Sequence, residues 1–394
     1  MLLRAPFSDP PQSLGRGATL GEFSADGQWI AWLASKERGD RTGPAKVRAI
    51  GGSTPFDLGP SMPPFVIGRD AMLSLTSYRG DSGRGMLQTT RLANGAHAPV
   101  LNDVAPNEFA SVGGEFIAVQ RPSNGGPCRA MRLDALASHP VPISADLDCA
   151  LAPAFVVAPD GSAALFRHAS GALTRWSPGS AAETPVASQV EAAAFDRRGG
   201  VWWAERRGAD LVVWRDGILI GVIDGRFARA IYPAGDAGAW LLLADRLCLA
   251  AAPSPAPACQ RFVAVGDAAL PPDSGVIRKV VASPGGFPLA FFAGDQTPPA
   301  LLAVPAPGRI VPITALGIAA EISPDGTHVA AVAWLDDGQR ALLADLATGE
   351  VRELSRGVPS ARVLWAGKIL LHTFETRKSW ELFDDRNGVY AVDP

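Results

Sequence analysis

The stretch that decides the fold is residues 322–354, which read ISPDGTHVAAVAWLDDGQRALLADLATGEVREL. With the residues just before and after it, this stretch holds four segments of strand length, AAEIS, HVAAVAWL, RALLADLA and EVRELS. They are separated by Pro324-Asp325-Gly326, Asp336-Asp337-Gly338 and Thr348-Gly349. Such residues favour tight turns between antiparallel strands. The stretch therefore predicts one four-stranded antiparallel sheet.

The same pattern recurs along the chain. Phe23-Ser-Ala-Asp-Gly27 and Val157-Ala-Pro-Asp-Gly161 match Ile322-Ser-Pro-Asp-Gly326, and their Asp residues lie 134 and 165 residues apart. These separations divide into intervals of about 45 and about 41 residues, the period of a propeller blade. Weaker copies are therefore expected in between, and they begin at Phe65, Phe109, Ala193, Ile231, Val281 and Arg362.

These copies define the fold class. A twisted four-stranded sheet cannot bury both faces alone, whereas sheets packed around an axis bury each other and leave short edges. The apolar residues come in short blocks without a sustained 3.6-residue period, which argues against amphipathic helices. We predict an all-β chain, a β-propeller of four-stranded antiparallel blades. Nine copies exceed the usual limit of about eight blades, so we predict eight, within a range of seven to nine.

The domain organisation follows from the ends of the chain. The last copy stops at residues 388–394, where the outer strand of a blade should still follow. Residues 1–7 resemble outer strands such as residues 309–313. We predict a single propeller domain over residues 1–394, in which residues 1–15 complete the last blade.

Composition excludes several classes of function. The chain has 394 residues, 19% of them charged, and a net charge of -3, without the basic character of a nucleic-acid-binding protein. It contains no continuous apolar stretch long enough to span a membrane. We therefore expect neither a nucleic-acid partner nor a membrane span.

The sequence carries no recognisable catalytic or metal-binding constellation. It has no G-x-S-x-G elbow and no His or Cys spacing typical of zinc sites. Gly80-Asp81-Ser82-Gly83 is similar to the nucleophile segment of chymotrypsin-like proteases, but no matching His accompanies it, and we interpret it as a turn. We predict no catalytic residue, no metal and no cofactor in this chain.

The four cysteines form two local pairs, Cys128 with Cys149 and Cys248 with Cys259. Each separation fits a loop or hairpin, so both pairs are disulfide candidates. An even number of locally paired cysteines favours an oxidising compartment. We expect a periplasmic or secreted protein, although no signal peptide is visible. Four buried thiols in a cytoplasmic protein are the alternative.

Concentrated charge occurs in the last copy. It gives the candidate ligand-binding residues Arg377, Trp380, Glu381, Asp384, Asp385 and Arg386. Carboxylates and guanidinium groups beside a Trp could line one mouth of the central channel and contact a charged peptide. A solvated loop between strands is the alternative interpretation.

The Asp-Gly copies, above all residues 322–354, resemble the repeats of TolB-type propellers and of the propeller domain of prolyl oligopeptidase relatives. In those peptidases the propeller precedes an α/β-hydrolase domain that bears the catalytic Ser, Asp and His, and this chain has no such elbow. Because the propeller scaffold is nearly complete and no catalytic constellation accompanies it, we predict a non-catalytic propeller that binds a peptide or protein partner. The alternative is the substrate-gating half of a prolyl oligopeptidase-type peptidase or isopeptidase, with the hydrolase encoded separately.

Overall fold

A computed structural model gives the fold of the chain. It describes residues 2–3, 12–13, 19–24, 26–34, 42–50, 52, 54–106, 108–122, 126–133, 140–149, 154–196, 198–225, 227–233, 238–243, 246–251, 258–261, 277–282, 289–293, 299–306, 309–323, 325–335, 338–358, 360–366, 369–375 and 388–392. All regular elements within these ranges are β-strands. Over the same ranges, no helix is long and apolar enough to cross a membrane.

Two short strands, β1 (Leu2–Leu3) and β2 (Gln12–Ser13), pair with each other. A seven-stranded antiparallel sheet follows, and its strands pair in chain order. They are β3 (Thr19–Phe23), β4 (Trp29–Leu33), β5 (Gly43–Ala49), β6 (Phe56–Ile67), β7 (Ala71–Arg79), β8 (Arg84–Arg91) and β9 (His97–Val104). Strand β6 pairs with β5 through its first half and with β7 through its second half. It is thus both the outer strand of the first repeat and the first strand of the second.

Six four-stranded sheets come next, again with strands paired in chain order. The third and fourth repeats form β10 (Phe109–Val112), β11 (Glu115–Gln120), β12 (Cys128–Leu133), β13 (Val141–Leu147), β14 (Phe155–Val157), β15 (Ala164–Arg167), β16 (Leu173–Trp176) and β17 (Thr184–Ala187). The fifth and sixth form β18 (Val190–Phe195), β19 (Val201–Arg207), β20 (Asp210–Arg215), β21 (Ile218–Asp224), β22 (Ala230–Pro233), β23 (Gly238–Leu242), β24 (Arg246–Ala251) and β25 (Ala258–Arg261).

The seventh and eighth repeats form β26 (Ile277–Ala282), β27 (Leu289–Ala293), β28 (Ala300–Ala306), β29 (Arg309–Thr314), β30 (Gly317–Ile322), β31 (His328–Leu335), β32 (Gly338–Asp345) and β33 (Val351–Val358). The ninth is a three-stranded sheet of β34 (Ser360–Ala366), β35 (Ile369–Glu375) and β36 (Gly388–Val392).

The sheets confirm the predicted fold class. Every sequence copy contains the first strand of a repeat, and within each repeat the strands pair in chain order, as in a propeller blade. The chain is an all-β protein of the β-propeller class. The predicted count of eight is not confirmed, since the described ranges hold eight complete four-strand repeats and a three-stranded ninth.

The second strand of each repeat forms the core. Strands β4, β11 and β23 are buried along nearly their whole length, on both sheet faces. A strand buried on both faces appears in sequence as a continuous apolar run, as these strands do. The outer strands, by contrast, alternate between exposed and buried residues or are mostly exposed.

The chain divides into two compact units, Met1–Val190 and Glu191–Pro394. In the first unit, apolar clusters join repeats one and two, two and three, and three and four. In the second, clusters join repeats five and six, seven and eight, and eight and nine. Each unit is therefore a succession of sheets packed face to face. The single domain over residues 1–394 stays a prediction.

The Asp-Gly turns are built by side-chain hydrogen bonds. Ser323 Oγ donates to Asp325 Oδ1 at 2.6 Å and accepts from the backbone N–H of His328 at 2.9 Å. Ser24 and Asp26 make the same pair at 2.6 Å. Hydrogen bonds from Ser323 and Thr327 lower the pKa of Asp325 to about 2. The repeated Asp therefore caps a turn, as its position in the motif predicts.

Two of these copies also carry a Glu that links neighbouring sheets. Glu22 Oε2 accepts from the backbone N–H of Phe65 at 3.0 Å, and Glu321 Oε2 accepts from that of Trp365 at 3.1 Å. In both cases a first strand is joined to the first strand of the next repeat. The Glu lies five residues before the turn Gly in both copies, so the bond repeats with the motif.

The tryptophans lie in or beside the second strands predicted from the sequence, a position that predicts that they fill the wedge-shaped space between blades. The structure agrees for only some of them. Trp32, Trp202 and Trp240 are fully buried, as expected. Trp334 is 48% exposed, and Trp365 lies in the first strand β34 rather than in a second strand. The wedge interpretation is wrong for Trp334, because this residue lies near the end of β31, beyond its buried stretch.

We expect Glu22→Ala to destabilise the first unit by about 1 kcal/mol relative to Glu22→Gln, because alanine leaves the Phe65 N–H without its acceptor. Burial raises the pKa of Glu22, against the opposing effect of the Phe65 bond. A raised pKa stabilises the fold at low pH, and that contribution is lost as pH rises through the folded pKa. Glu22→Gln should therefore match or exceed the wild type at pH 7 and lose this advantage at pH 5. Urea unfolding at both pH values measures the free energy of unfolding of each variant. A stability advantage of Glu22→Gln over the wild type that grows on acidification would contradict the prediction.

Ring closure by the N-terminus is tested by deleting residues 1–7. Leu2–Leu3 pairs with Gln12–Ser13, and the sheet of β34–β36 has three strands in the described ranges. If residues 1–15 complete that sheet, the deletion exposes a strand edge and should lower the melting temperature and promote aggregation. Deleting residues 253–256, between β24 and β25 in the sequence, is the control and should have a milder effect. Equal melting curves and light scattering for the truncated and intact chains would exclude this closure.

Candidate functional site

The site residues predicted from charge lie outside the described ranges. These are Arg377, Trp380, Glu381, Asp384, Asp385 and Arg386, all between β35 and β36. Their role at a channel mouth stays a prediction.

The structure contains the first of the two predicted cysteine pairs. Cys128 and Cys149 form a disulfide that joins the third repeat to the connection leading into the fourth. Cys248 is also disulfide-bonded, and in the register of β24 and β25 it lies directly opposite Cys259. Disulfides of this kind are typical of proteins in oxidising compartments.

A buried ion pair holds the connection around the first disulfide. Arg121 Nε donates to Glu108 Oε1 at 2.7 Å, and its guanidinium also donates to the Cys149 carbonyl at 2.8 Å. Glu108 is fully buried, and a buried carboxyl group needs a paired charge or hydrogen-bond donors, which Arg121 supplies. The pair and the disulfide therefore fix the same junction between the third and fourth repeats.

Exposed large apolar residues are concentrated on the outer strand of the fifth repeat, β21, and just beyond its end. Seven large hydrophobic residues of the described ranges are exposed, and four of them fall within residues 218–227: Ile218 (66%), Leu219 (52%), Val222 (45%) and Phe227 (43%). We name these four residues the outer-strand patch. Single exposed hydrophobics are ordinary, whereas four within ten residues make this edge a candidate interaction surface. The patch is the candidate functional site.

A two-residue turn sets the position of the patch. Arg215 and Ile218 are paired in register, and the residues between them, Asp216 and Gly217, have φ values of 47° and 82°. Positive φ at both central residues is the type I′ geometry that Asp-Gly favours. Asp216 also accepts a hydrogen bond from the Val201 N–H at 2.8 Å. The two-residue turn and the Asp216 hydrogen bond thus fix the register of β21 against β20.

The inner part of this sheet is held by Asp196. Its carboxylate accepts hydrogen bonds from the Gly200 N–H at 2.8 Å, Trp202 Nε1 at 3.2 Å and Arg215 at 2.8 Å. Burial alone would raise the pKa of Asp196, but the bonds from Gly200, Trp202 and Arg198 and the charge of Arg215 together lower it. An ionised Asp196 therefore ties the first two strands to the start of the hairpin that carries the patch.

Aromatic residues support the patch from the same sheet. Trp203 and Trp214 stack with ring centroids 6.3 Å apart, and the Arg207 guanidinium lies 5.2 Å from the Trp214 ring centroid. Trp214 is the cross-strand partner of Leu219. Paired aromatic and aliphatic side chains stabilise a sheet, so the pairing with Trp214 stabilises the strand at Leu219.

Other polar clusters of the described residues serve the scaffold. His168 contacts the Ala145 carbonyl with Nδ1 at 3.0 Å and Glu183 with Nε2 at 3.2 Å, which joins β13 to the fourth repeat. Ser82 binds Asp81 and the Arg79 carbonyl, which confirms the turn interpretation of Gly80–Gly83. No group of three or more His, Cys, Asp or Glu suited to a metal ion is found among the residues that the structure describes.

The sequence does contain a signal for the patch. Of the other outer strands whose side chains the structure describes, five contain an exposed proline: Pro60 in β6, Pro99 in β9, Pro142 in β13, Pro185 in β17 and Pro312 in β29. Strand β33 exposes Arg352 and Glu353 instead. Strand β21, ILIGVID, has no proline and no charge before Asp224. A comparison of outer strands with one another would have found it.

No family model and no curated protein matches the chain. Among solved structures, the C-terminal WD40 domain of Sif2 is 9% identical, with a TM-score of 0.45 over 83% of this chain and 95% of that one. A putative 6-phosphogluconolactonase from Bacteroides fragilis NCTC 9343 is 12% identical, with a TM-score of 0.41 over 75% and 96%. The β-propeller domain of Cps50 (Swd1) from Myceliophteria thermophila is 11% identical, with a TM-score of 0.36 over 56% and 79%.

These likenesses are low, so the fold class rests on the sheets of this chain. The finer resemblance to TolB-type and prolyl oligopeptidase propellers is not confirmed.

Breaking the first disulfide should destabilise the chain. We expect Cys149→Ser to cost about 2–4 kcal/mol, because it frees a loop of 21 residues and the segment that Arg121 binds. Chemical unfolding measures the cost, with Ser144→Ala in the same unit as a control. Peptide mapping without reductant should recover the Cys128–Cys149 and Cys248–Cys259 fragments. Four alkylated free thiols in fresh material would contradict both bonds.

Proposed function

We propose that this chain is a non-catalytic β-propeller that binds a peptide or protein partner through the outer-strand patch. The observation that carries the proposal is the concentration of exposed hydrophobic residues within residues 218–227. These side chains are about half exposed, so covering one contributes roughly half of the ~1.5–3 kcal/mol that complete burial of an aliphatic side chain contributes. A partner that covers three of them gains enough free energy to offset part of the cost of association.

The polar chemistry of the described residues supports binding rather than catalysis. His168, Glu108 and Asp196 are each engaged with neighbouring strands, as described above. A nucleophile needs a base oriented toward it, and a third group that orients the base. The Cys128–Cys149 disulfide further supports an oxidising compartment such as the periplasm. The alternative, a gating half of a prolyl oligopeptidase-type peptidase with a separate hydrolase as partner, gains no specific support from these contacts.

Site-specific cross-linking tests the proposal. A photo-reactive phenylalanine analogue replaces Leu219 in the full chain, and Val141, which is 44% exposed on the outer strand β13, is the matched control position. We expect one cross-linked partner from Leu219 and none from Val141 in cells that produce the protein. The purified partner should then lose at least about tenfold in affinity for Leu219→Asp by calorimetry. Equal cross-linking at both positions, or unchanged affinity, would exclude the patch as the binding surface.

A further inference from the structure

We infer that the eighth repeat carries a second binding site, in which Trp334 and Gln339 bind a proline-rich peptide segment in the polyproline II conformation. This site lies on a different repeat from the outer-strand patch and does not depend on the proposed function. Trp334 is 48% exposed, at the end of a second strand that is buried from Val329 to Ala333. Tryptophan dominates many protein interfaces because it combines a large apolar face with one hydrogen-bond donor.

The pairing of β31 with β32 places Gln339 beside Trp334. The two residues are cross-strand partners, so their side chains lie on the same face of the sheet. Val332 and Ala341, two residues before the one and two after the other, belong to the apolar cluster shared with the ninth repeat. Because side chains alternate along a strand, Trp334 and Gln339 extend that face beyond its fully buried part.

The side-chain amide of Gln339 is held in one orientation. Its Oε1 accepts a hydrogen bond from the backbone N–H of Ala361, in strand β34, at 2.7 Å. Because a backbone N–H can only donate, this bond identifies the oxygen of the amide and turns its NH2 group elsewhere. Within the described ranges that NH2 group has no acceptor. Gln339 therefore has a fixed amide that can donate to a ligand.

Trp334 offers a second donor. Its backbone N–H donates to the Leu316 carbonyl at 2.8 Å, whereas its indole N–H has no acceptor in the part of the chain that the structure describes. The bond to Leu316 brings the start of β30 beside the tryptophan, and Ile318 of that strand is also exposed. The site thus combines an aromatic face, an exposed aliphatic residue at the same end of the sheet and two side-chain donors.

This chemistry fits a proline-rich segment. The carbonyl groups of a polyproline II helix are not used internally, and proline has no N–H that needs an acceptor. Aromatic surfaces bind such segments, whose extended conformation exists before binding. A β-strand brings N–H groups and a saccharide brings hydroxyl donors, for which the side chains of Trp334 and Gln339 offer no free acceptor. The two donors therefore favour the proline-rich segment over both.

Synthetic ligands test the inference on the full chain. The probe is a fluorescein-labelled peptide of repeated Ala-Pro-Pro; one control peptide has Ala in place of each Pro, another alternates Val and Thr, and an unlabelled cello-oligosaccharide serves as a competitor. We expect the probe to bind at least about tenfold tighter than either control peptide by fluorescence anisotropy, without displacement by the saccharide. Its affinity should be insensitive to salt, because neither Trp334 nor Gln339 is charged.

Variants assign the binding to the two side chains. Trp334→Ala should abolish it. Trp334→Phe keeps an aromatic ring without the indole N–H, and Gln339→Glu keeps the acceptor for Ala361 without the NH2 group, so each should lose about three- to tenfold in affinity. Binding of the probe should also shift the indole N–H signal in the NMR spectrum that Trp334→Phe removes. Melting temperatures equal to that of the wild type show that the fold is intact.

Several results would overturn the inference. They are no binding of the probe, equal affinity for the peptide without proline, full affinity in folded Trp334→Ala or in Trp334→Phe, displacement by the saccharide, and loss of binding at high salt. If Trp334→Ala does not fold, Trp334→Phe and the NMR signal decide.

The proposed function and this inference fail separately. Leu219→Asp, in the outer-strand patch, should leave binding of the probe unchanged. A partner that cross-links at Leu219 without any binding of the probe supports the proposed function and excludes the site at Trp334. Binding of the probe at Trp334 without a partner at Leu219 does the reverse.

Discussion

The structure depends on one constraint: the second strand of each repeat is apolar on both faces. A sheet with such a strand must be covered by another sheet on each side. In β31, for example, the stretch from Val329 to Ala333 is buried, and its residues fall into two different clusters, one with the seventh repeat and one with the ninth. Because successive sheets supply this cover, the chain folds as a run of repeats. The stability of each repeat therefore depends on its interfaces with the neighbouring repeats as well as on contacts within its own sheet.

Polar interactions set the geometry of that packing. The Ser-x-Asp-Gly turn fixes where the first strand ends and the second begins, at Ser24 and again at Ser323. The Glu two residues before that Ser accepts a backbone hydrogen bond from the first strand of the next repeat. Apolar contacts alone would allow neighbouring sheets to slide, whereas a directional bond to a fixed N–H defines one register. The motif thus encodes both a turn and a contact between sheets.

The sequence predicts the repeats well because their determinants are local. The Asp-Gly turns and the apolar second strands are readable in residues 322–354, and the weaker copies follow from their period. What it does not predict depends on contacts between distant residues. The continuity of β6 through two repeats, the exposure of Trp334 and the exposure of Val222 are all decided by what packs against a strand. Charge density at residues 377–386 is the stronger sequence signal, whereas the patch differs from the other described outer strands only in lacking a proline or an exposed charge within the strand.

A protein built of many four-stranded sheets presents one outer edge for each of them, and every edge is a hazard for aggregation. This chain protects its edges with exposed prolines or charges in every outer strand whose side chains are described, except β21. Strand β21 lacks this protection and exposes Ile218, Leu219 and Val222, so the sequence places polar and proline residues on the other described edges and aliphatic residues on this one. An aliphatic side chain that stays in contact with water contributes nothing to folding, and its place on an otherwise protected type of edge is the physical reason for treating β21 as the binding surface.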